Sequence, residues 1–133
     1  MTPPLVASRP SSTSLWAGRI LTALVVAFMI FDLVGKMLVI QPVIDAQTHL
    51  GFPVELSMTL GLIEIACLVL YVIPPTTLVG ALLLTAYLGG ATAIQVRVGD
   101  PFYFPVMTGL LLWLGLVLRD SRFRALLPWP GQR

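Results

Sequence analysis

Three ionisable side chains lie where water is scarce: Asp32, Lys36 and Glu64 each fall inside a long apolar run. A charge at the middle of a membrane-length apolar segment costs from about 2.5 kcal/mol upward and normally turns inward to a partner, so it marks a ligand site or a proton relay by default. Asp32 and Lys36 are four residues apart and, on a helix, share one face and pair. Asp32 stands eight residues before the end of its run and Glu64 eight residues after the start of the next. With a helical rise of about 1.5 Å per residue, each is roughly 12 Å from the same surface. By the same count Thr92 and Gln95 sit near the end of the third run, and Arg97, Asp100 and Tyr103 stand around the turn that follows.

The expected ligand-binding set is therefore Asp32, Lys36, Glu64, Thr92, Gln95, Arg97 and Tyr103, lining a polar pocket open at one membrane surface. The competing reading is that Asp32 with Lys36, and Glu64 with Arg97 or a hydroxyl, are neutralised pairs that fix helix register. In that case Asp32→Asn combined with Lys36→Met leaves both fold and activity in place. In the ligand-binding case the fold survives and binding falls.

Other chemistry finds less support. The single cysteine, Cys67, forms no intramolecular disulfide and reads as a small buried hydrophobe. His49 has no second metal-binding side chain at usable spacing, and Ser57 and Thr59 have no histidine nearby in sequence, so neither a metal site nor a catalytic triad is expected. Haem would need His, Met or Cys inside the bundle, but Met29, Met37, Met58 and Met107 are scattered in depth. Eight basic residues against six acidic ones give a net charge of +2. That is no nucleic-acid footprint, which needs a clustered basic face.

The elements that must carry these residues follow from composition. Of 133 residues 57% are hydrophobic and 11% charged, against roughly 25% charged in soluble domains. Apolar runs at residues 16–40, 56–73, 77–96 and 102–118 approach the roughly 20 residues a spanning helix needs. The expected fold is all-α, an integral membrane protein built as an antiparallel four-helix bundle.

Residues 1–15, rich in proline and serine, are expected to be a flexible cytoplasmic tail. Pro42 to Leu50 is expected to form a short interfacial helix. Pro74 and Pro75 end the second span, after which Thr76 or Thr77 caps the third. Pro105 is tolerated in the first turn of the fourth. Arg9 and Arg19 flank the first span, and Arg119, Arg122, Arg124 and Arg133 follow the last, whereas of the three loops only the third carries a Lys or Arg, Arg97. The positive-inside bias then places both termini in the cytoplasm and the protein in the inner membrane. Residues 119–133 read as a solvated basic tail, with a short amphipathic helix over 119–127, Phe123, Leu126 and Leu127 dipping into anionic lipid, as the alternative.

Small and polar residues mark the inward faces. Ser57, Gly61, Glu64, Cys67 and Tyr71 share one face of the second helix, while Ala81, Thr85, Thr92 and Gln95 lie near one face of the third. Gly89 and Gly90 are expected to allow close packing or a kink. Trp16, Trp113 and Trp129 read as interface anchors or packing groups.

Several blocks resemble the DoxX-like family of small four-span bacterial membrane proteins. They are Gly18-Arg19-Ile20-Leu21 with Phe31, Asp32 and Lys36; Leu60-Gly61-Leu62-Ile63-Glu64 leading to Leu70-Tyr71-Val72-Ile73-Pro74; Tyr87-Leu88-Gly89-Gly90-Ala91 with Arg97-Val98-Gly99-Asp100-Pro101; and Leu118-Arg119-Asp120 with Arg124-Ala125-Leu126-Leu127-Pro128. Gln95 stands where that family's pattern suggests a histidine, and Pro75 where it often has arginine. The resemblance implies a four-helix membrane bundle distantly related to subunits of quinone-reducing oxidoreductases, and it supplies no catalytic residues.

Three functions are thus in play. The first is a redox-associated subunit binding a quinone or another small hydrophobic ligand. The second is a non-enzymatic accessory or assembly protein whose faces bind partner helices, and the third a proton-linked transporter using Asp32 and Glu64. Besides the lipid bilayer, a membrane protein partner or a homo-oligomer fits the composition; nucleic acid does not.

Overall fold

The computed structural model describes residues 9–126, and within them the chain is all-helical. Its elements are α1 (Ser12–Leu38), α2 (Gln41–Leu50), α3 (Leu56–Val72), a single 3-10 turn (Pro74–Thr76), α4 (Thr77–Val98), α5 (Tyr103–Arg119) and α6 (Ser121–Leu126). The expectations for residues 1–8, Leu127, Trp129 and Arg133 lie outside the described residues. By length and composition, Ser12–Leu38 and Pro74–Val98 are long and apolar enough to cross a membrane, while α3 and α5 are shorter apolar helices.

Helix ends differ from the sequence reading for local reasons. Residues 12–15 belong to α1 rather than to a tail, because the Ser11 hydroxyl accepts from the Ser14 amide and caps the helix. At its other end α1 stops at Leu38, two residues early, where Val39 takes a left-handed conformation with φ 49°. Pro42 then occupies the first turn of α2, where its missing N–H costs nothing.

Thr76 stands at the N-cap of α4 yet makes no cap hydrogen bond. Its hydroxyl donates instead to the carbonyls of Leu70 and Ile73, and that of Thr77 to Ile73. The reason is that Pro74 and Pro75 carry no N–H to serve the carbonyls left open at the end of α3.

The long helices contact one another in the cyclic order α1, α3, α4, α5 and back to α1. Two crossings bring backbones together. Where α1 meets α5, a Cβ on Gly18 would lie 2.6 Å from the Arg119 amide nitrogen and 2.8 Å from the Gly115 carbonyl oxygen. Where α3 meets α4, a Cβ on Gly80 would lie 2.1 Å from the Tyr71 amide nitrogen. By contrast a Cβ on Gly89 or Gly90 would meet nothing within 4 Å, so close packing within the chain is not the role of that pair.

The core centres on Tyr71, Leu84, Leu112 and Leu116, with Val25 and Met29 from α1. On α3 the expected inward face is the observed one: Ser57, Gly61, Glu64, Cys67 and Tyr71 are all buried. On α4 the buried face is Thr77, Gly80, Ala81, Leu84 and Leu88; of the expected inward residues Ala81 lies on it, Thr92 and Gln95 are half-buried, and Thr85 is exposed. The hydroxyls of Thr85 and Thr92 donate to carbonyls four residues back in their own helix, so they need no interior partner.

Two smaller elements close the ends. Ser57 donates to Gln47 at 2.7 Å, His49 meets Asp100 at 3.0 Å and Arg97 donates to the Leu50 carbonyl, fastening α2 beside the turn between α4 and α5. His49 is thus in the last turn of the helix expected over Pro42 to Leu50. The carboxy-terminal α6 forms a short helix, and its Phe123 packs against the core while Leu126 stays exposed. Arg122 beside Asp120 holds that carboxyl below the usual carboxylate range.

Candidate functional site

Asp32, Lys36 and Glu64 come together, and Tyr87 joins them. The Lys36 ammonium donates to Asp32 Oδ2 one turn back on α1, to Glu64 Oε2 on α3 at 2.8 Å and to the Tyr87 hydroxyl on α4 at 2.8 Å. An ammonium has three N–H donors; each has its acceptor. Tyr87 in turn donates its hydroxyl proton to Glu64 Oε2 at 3.2 Å. The side chain of Glu64 is 0% exposed, that of Lys36 15% and that of Asp32 46%.

Formal charge in this cluster does not cancel, since two carboxylates face one ammonium. Hydrogen bonding is also incomplete, because Glu64 Oε1 is buried and has no partner. The donors are therefore all spent, and the unused capacity is acceptor capacity, at Glu64 Oε1 and on half-exposed Asp32. Among the described residues no three His, Cys, Asp or Glu side chains converge in a way that would hold a metal ion.

The remaining expected site residues stand elsewhere. Gln95 is half-buried with its Oε1 unpartnered. Arg97 does not pair with Glu64; it is exposed and spends its guanidinium on the Leu50 carbonyl. Tyr103 is 62% exposed and stacks obliquely on Phe102. It shares with Val96, Gly99, Asp100, Pro101 and Phe102 an open cavity of about 310 Å³ that contains no member of the ionic cluster. Thr92, bonded within α4, lines neither.

A sequence model of the DoxX-like family matches residues 20–117, most of the chain and all four residues of the cluster. The chain belongs to the DoxX-like family. Neither the curated proteins nor the solved structures contain a match to it.

In this DoxX-like chain the residue that sequence reasoning missed is Tyr87. It lies nine residues before the end of the third apolar run, roughly 13 Å deep by the count that aligned Asp32 with Glu64. Its depth was the available signal, but inside an apolar run a phenol, uncharged at neutral pH, does not stand out as a carboxylate or an ammonium does. Trp113, left open between anchor and packing group, packs on the core and donates its indole N–H to Thr85 at 2.8 Å. Trp16 is exposed beside Arg19.

Proposed function

We propose that this protein is an integral membrane, antiparallel four-helix bundle with both termini cytoplasmic, in the bacterial inner membrane. The start of α1 lies against the end of α5 at Gly18 and Arg119, and Arg9, Arg19, Arg119, Arg122 and Arg124 gather in the flanks of that end. Such a bias favours the cytoplasmic side. A reporter that is active only in the periplasm, fused after Arg133, should be silent. Activity there would reverse the orientation.

Within that bundle we propose a redox-associated subunit whose Asp32–Lys36–Glu64–Tyr87 cluster binds a quinone cofactor in its reduced, hydroxyl-bearing form, or another small hydrophobic molecule with an O–H or N–H. The observation that carries this reading is the buried, unpartnered Glu64 Oε1 in a cluster whose donors are all engaged. A quinone carbonyl can only accept a hydrogen bond and would have to displace one of those bonds. A quinol hydroxyl donates, and Asp32 offers it the exposed side of the cluster.

The test is a titration of purified protein with a short-chain benzoquinol and with its oxidised form, followed by tryptophan fluorescence. Quinol should bind more tightly than quinone, and Glu64→Gln should weaken quinol binding by about tenfold, the worth of one hydrogen bond to a charged group. Equal affinity for both forms in the wild type and the variant would remove the cluster from the site. Failure of either form to bind, with a stoichiometric membrane partner co-purifying, would favour the accessory role.

A further inference from the structure

At the opposite end of the molecule a second polar feature is incomplete in the reverse sense, with donors lacking acceptors. Arg119 is the last residue of α5, and the contact of its backbone with Gly18 leaves its side chain to run across toward α3. There its guanidinium lies over the ring of Tyr71, 5.4 Å from the centroid. Tyr71 is fully buried and donates its hydroxyl to the Leu112 carbonyl, so the ring is a fixed platform. A ring face attracts a cation but accepts no in-plane hydrogen bond, and Arg119 Nε and Nη2 are buried without a partner among the described residues.

The neighbouring arginines are already committed. Arg122 donates to both carboxylate oxygens of Asp120. Arg124 donates to the Ser14 hydroxyl at 2.6 Å and to the Leu118 carbonyl. With Arg9 and Arg19, five guanidinium groups stand at this end among the described residues, against the single carboxylate of Asp120.

We infer that Arg119 is the anchor of a phosphate-binding site at this end of the bundle, in which an anionic phosphate group completes the guanidinium's hydrogen bonding. The planar fork matches two phosphate oxygens at once, and under the membrane reading the end of an apolar helix lies at the level of lipid phosphates. Two sources share this chemistry: the headgroup of an anionic phospholipid and free phosphate. Neither involves the Asp32–Lys36–Glu64–Tyr87 cluster, so this site stands or falls separately from the quinol reading.

The experiment uses the full chain, purified in a neutral detergent, and measures the thermal midpoint against three probes: short-chain phosphatidylglycerol, short-chain phosphatidylcholine and inorganic phosphate. Phosphatidylglycerol should raise the midpoint at lower concentration than phosphatidylcholine. Arg119→Gln should weaken that response by roughly tenfold, and Arg122→Gln by far less. Arg119→Lys keeps the charge without the fork and should fall between them, which also covers failure of the glutamine variant to fold. A response to inorganic phosphate as strong as that to phosphatidylglycerol, and equally dependent on Arg119, would support the site with free phosphate as its source. Equal losses from Arg119→Gln and Arg122→Gln would overturn it, leaving diffuse charge as the cause. So would no response to any probe.

Discussion

Gly80→Ala should destabilise the protein more than any other single methyl added to its glycines. The added Cβ would sit 2.1 Å from the Tyr71 amide nitrogen, 2.4 Å from the Tyr71 Cα and 2.6 Å from the Leu70 carbonyl carbon, all backbone atoms. Backbone cannot rotate aside as a side chain does, so α3 and α4 must separate along a contact that also holds Tyr71 and Ala81. Overpacking ordinarily costs 1 to 3 kcal/mol, and this case belongs at about 3 kcal/mol or beyond.

Gly61→Ala makes the informative comparison. There the nearest atom is the sulfur of Met37 at 2.8 Å, the far part of a flexible side chain, and the cost should be about 1 kcal/mol. At Gly89 or Gly90 alanine meets nothing and should stabilise by several tenths of a kcal/mol through helix propensity. Thermal midpoints of the four variants in one detergent give the order. A Gly80→Ala midpoint equal to that of Gly89→Ala would show that α3 and α4 do not touch as described.

Those glycines also show what sequence can and cannot convey. Gly80 and Gly89 are the same residue type in the same apolar helix, and nothing local distinguishes them. Their roles differ because Gly80 follows the proline-bounded turn and faces the returning backbone of α3, whereas Gly89 is nine residues on, on an exposed face. On α3 the inward face could be read because Ser57, Gly61, Glu64, Cys67 and Tyr71 stand out against leucine, isoleucine and valine. On α4 the corresponding reading placed Ala81 correctly and found Thr92 and Gln95 half-buried, but it failed at Thr85, whose hydroxyl is satisfied within the helix, so polarity there did not signal burial.

Depth was the more transferable quantity. Counting residues from the helix ends brought Asp32, Lys36 and Glu64 together and, extended to the phenol inside the third run, brings in Tyr87. The same count grouped Thr92, Gln95, Arg97 and Tyr103 near one end, but depth does not fix azimuth. Arg97 turned toward α2 instead, because the Leu50 carbonyl at the end of that helix is an open acceptor.

Lys36→Met should have the largest effect of any change in the ionic cluster. It removes all three donors of the ammonium at once and leaves Glu64, fully buried, with only the Tyr87 hydroxyl. Breaking a buried pair from one side costs about 3 to 5 kcal/mol because the other charge stays behind. Asp32, at 46% exposure, contributes less of that loss than Glu64.

The compensating change follows from this asymmetry. From sequence alone Asp32→Asn is the natural partner of Lys36→Met, since the two residues are one turn apart. In the observed cluster that double change still strands Glu64 and should recover little. Lys36→Met with Glu64→Gln removes the buried charge, keeps an oxygen for the Tyr87 hydroxyl, and should recover most of the lost stability. Unfolding midpoints of the single and both double variants decide the matter. Greater recovery by Asp32→Asn than by Glu64→Gln would mean that Lys36 serves chiefly as a helix-surface partner of Asp32, and Glu64 would then need another counter-charge.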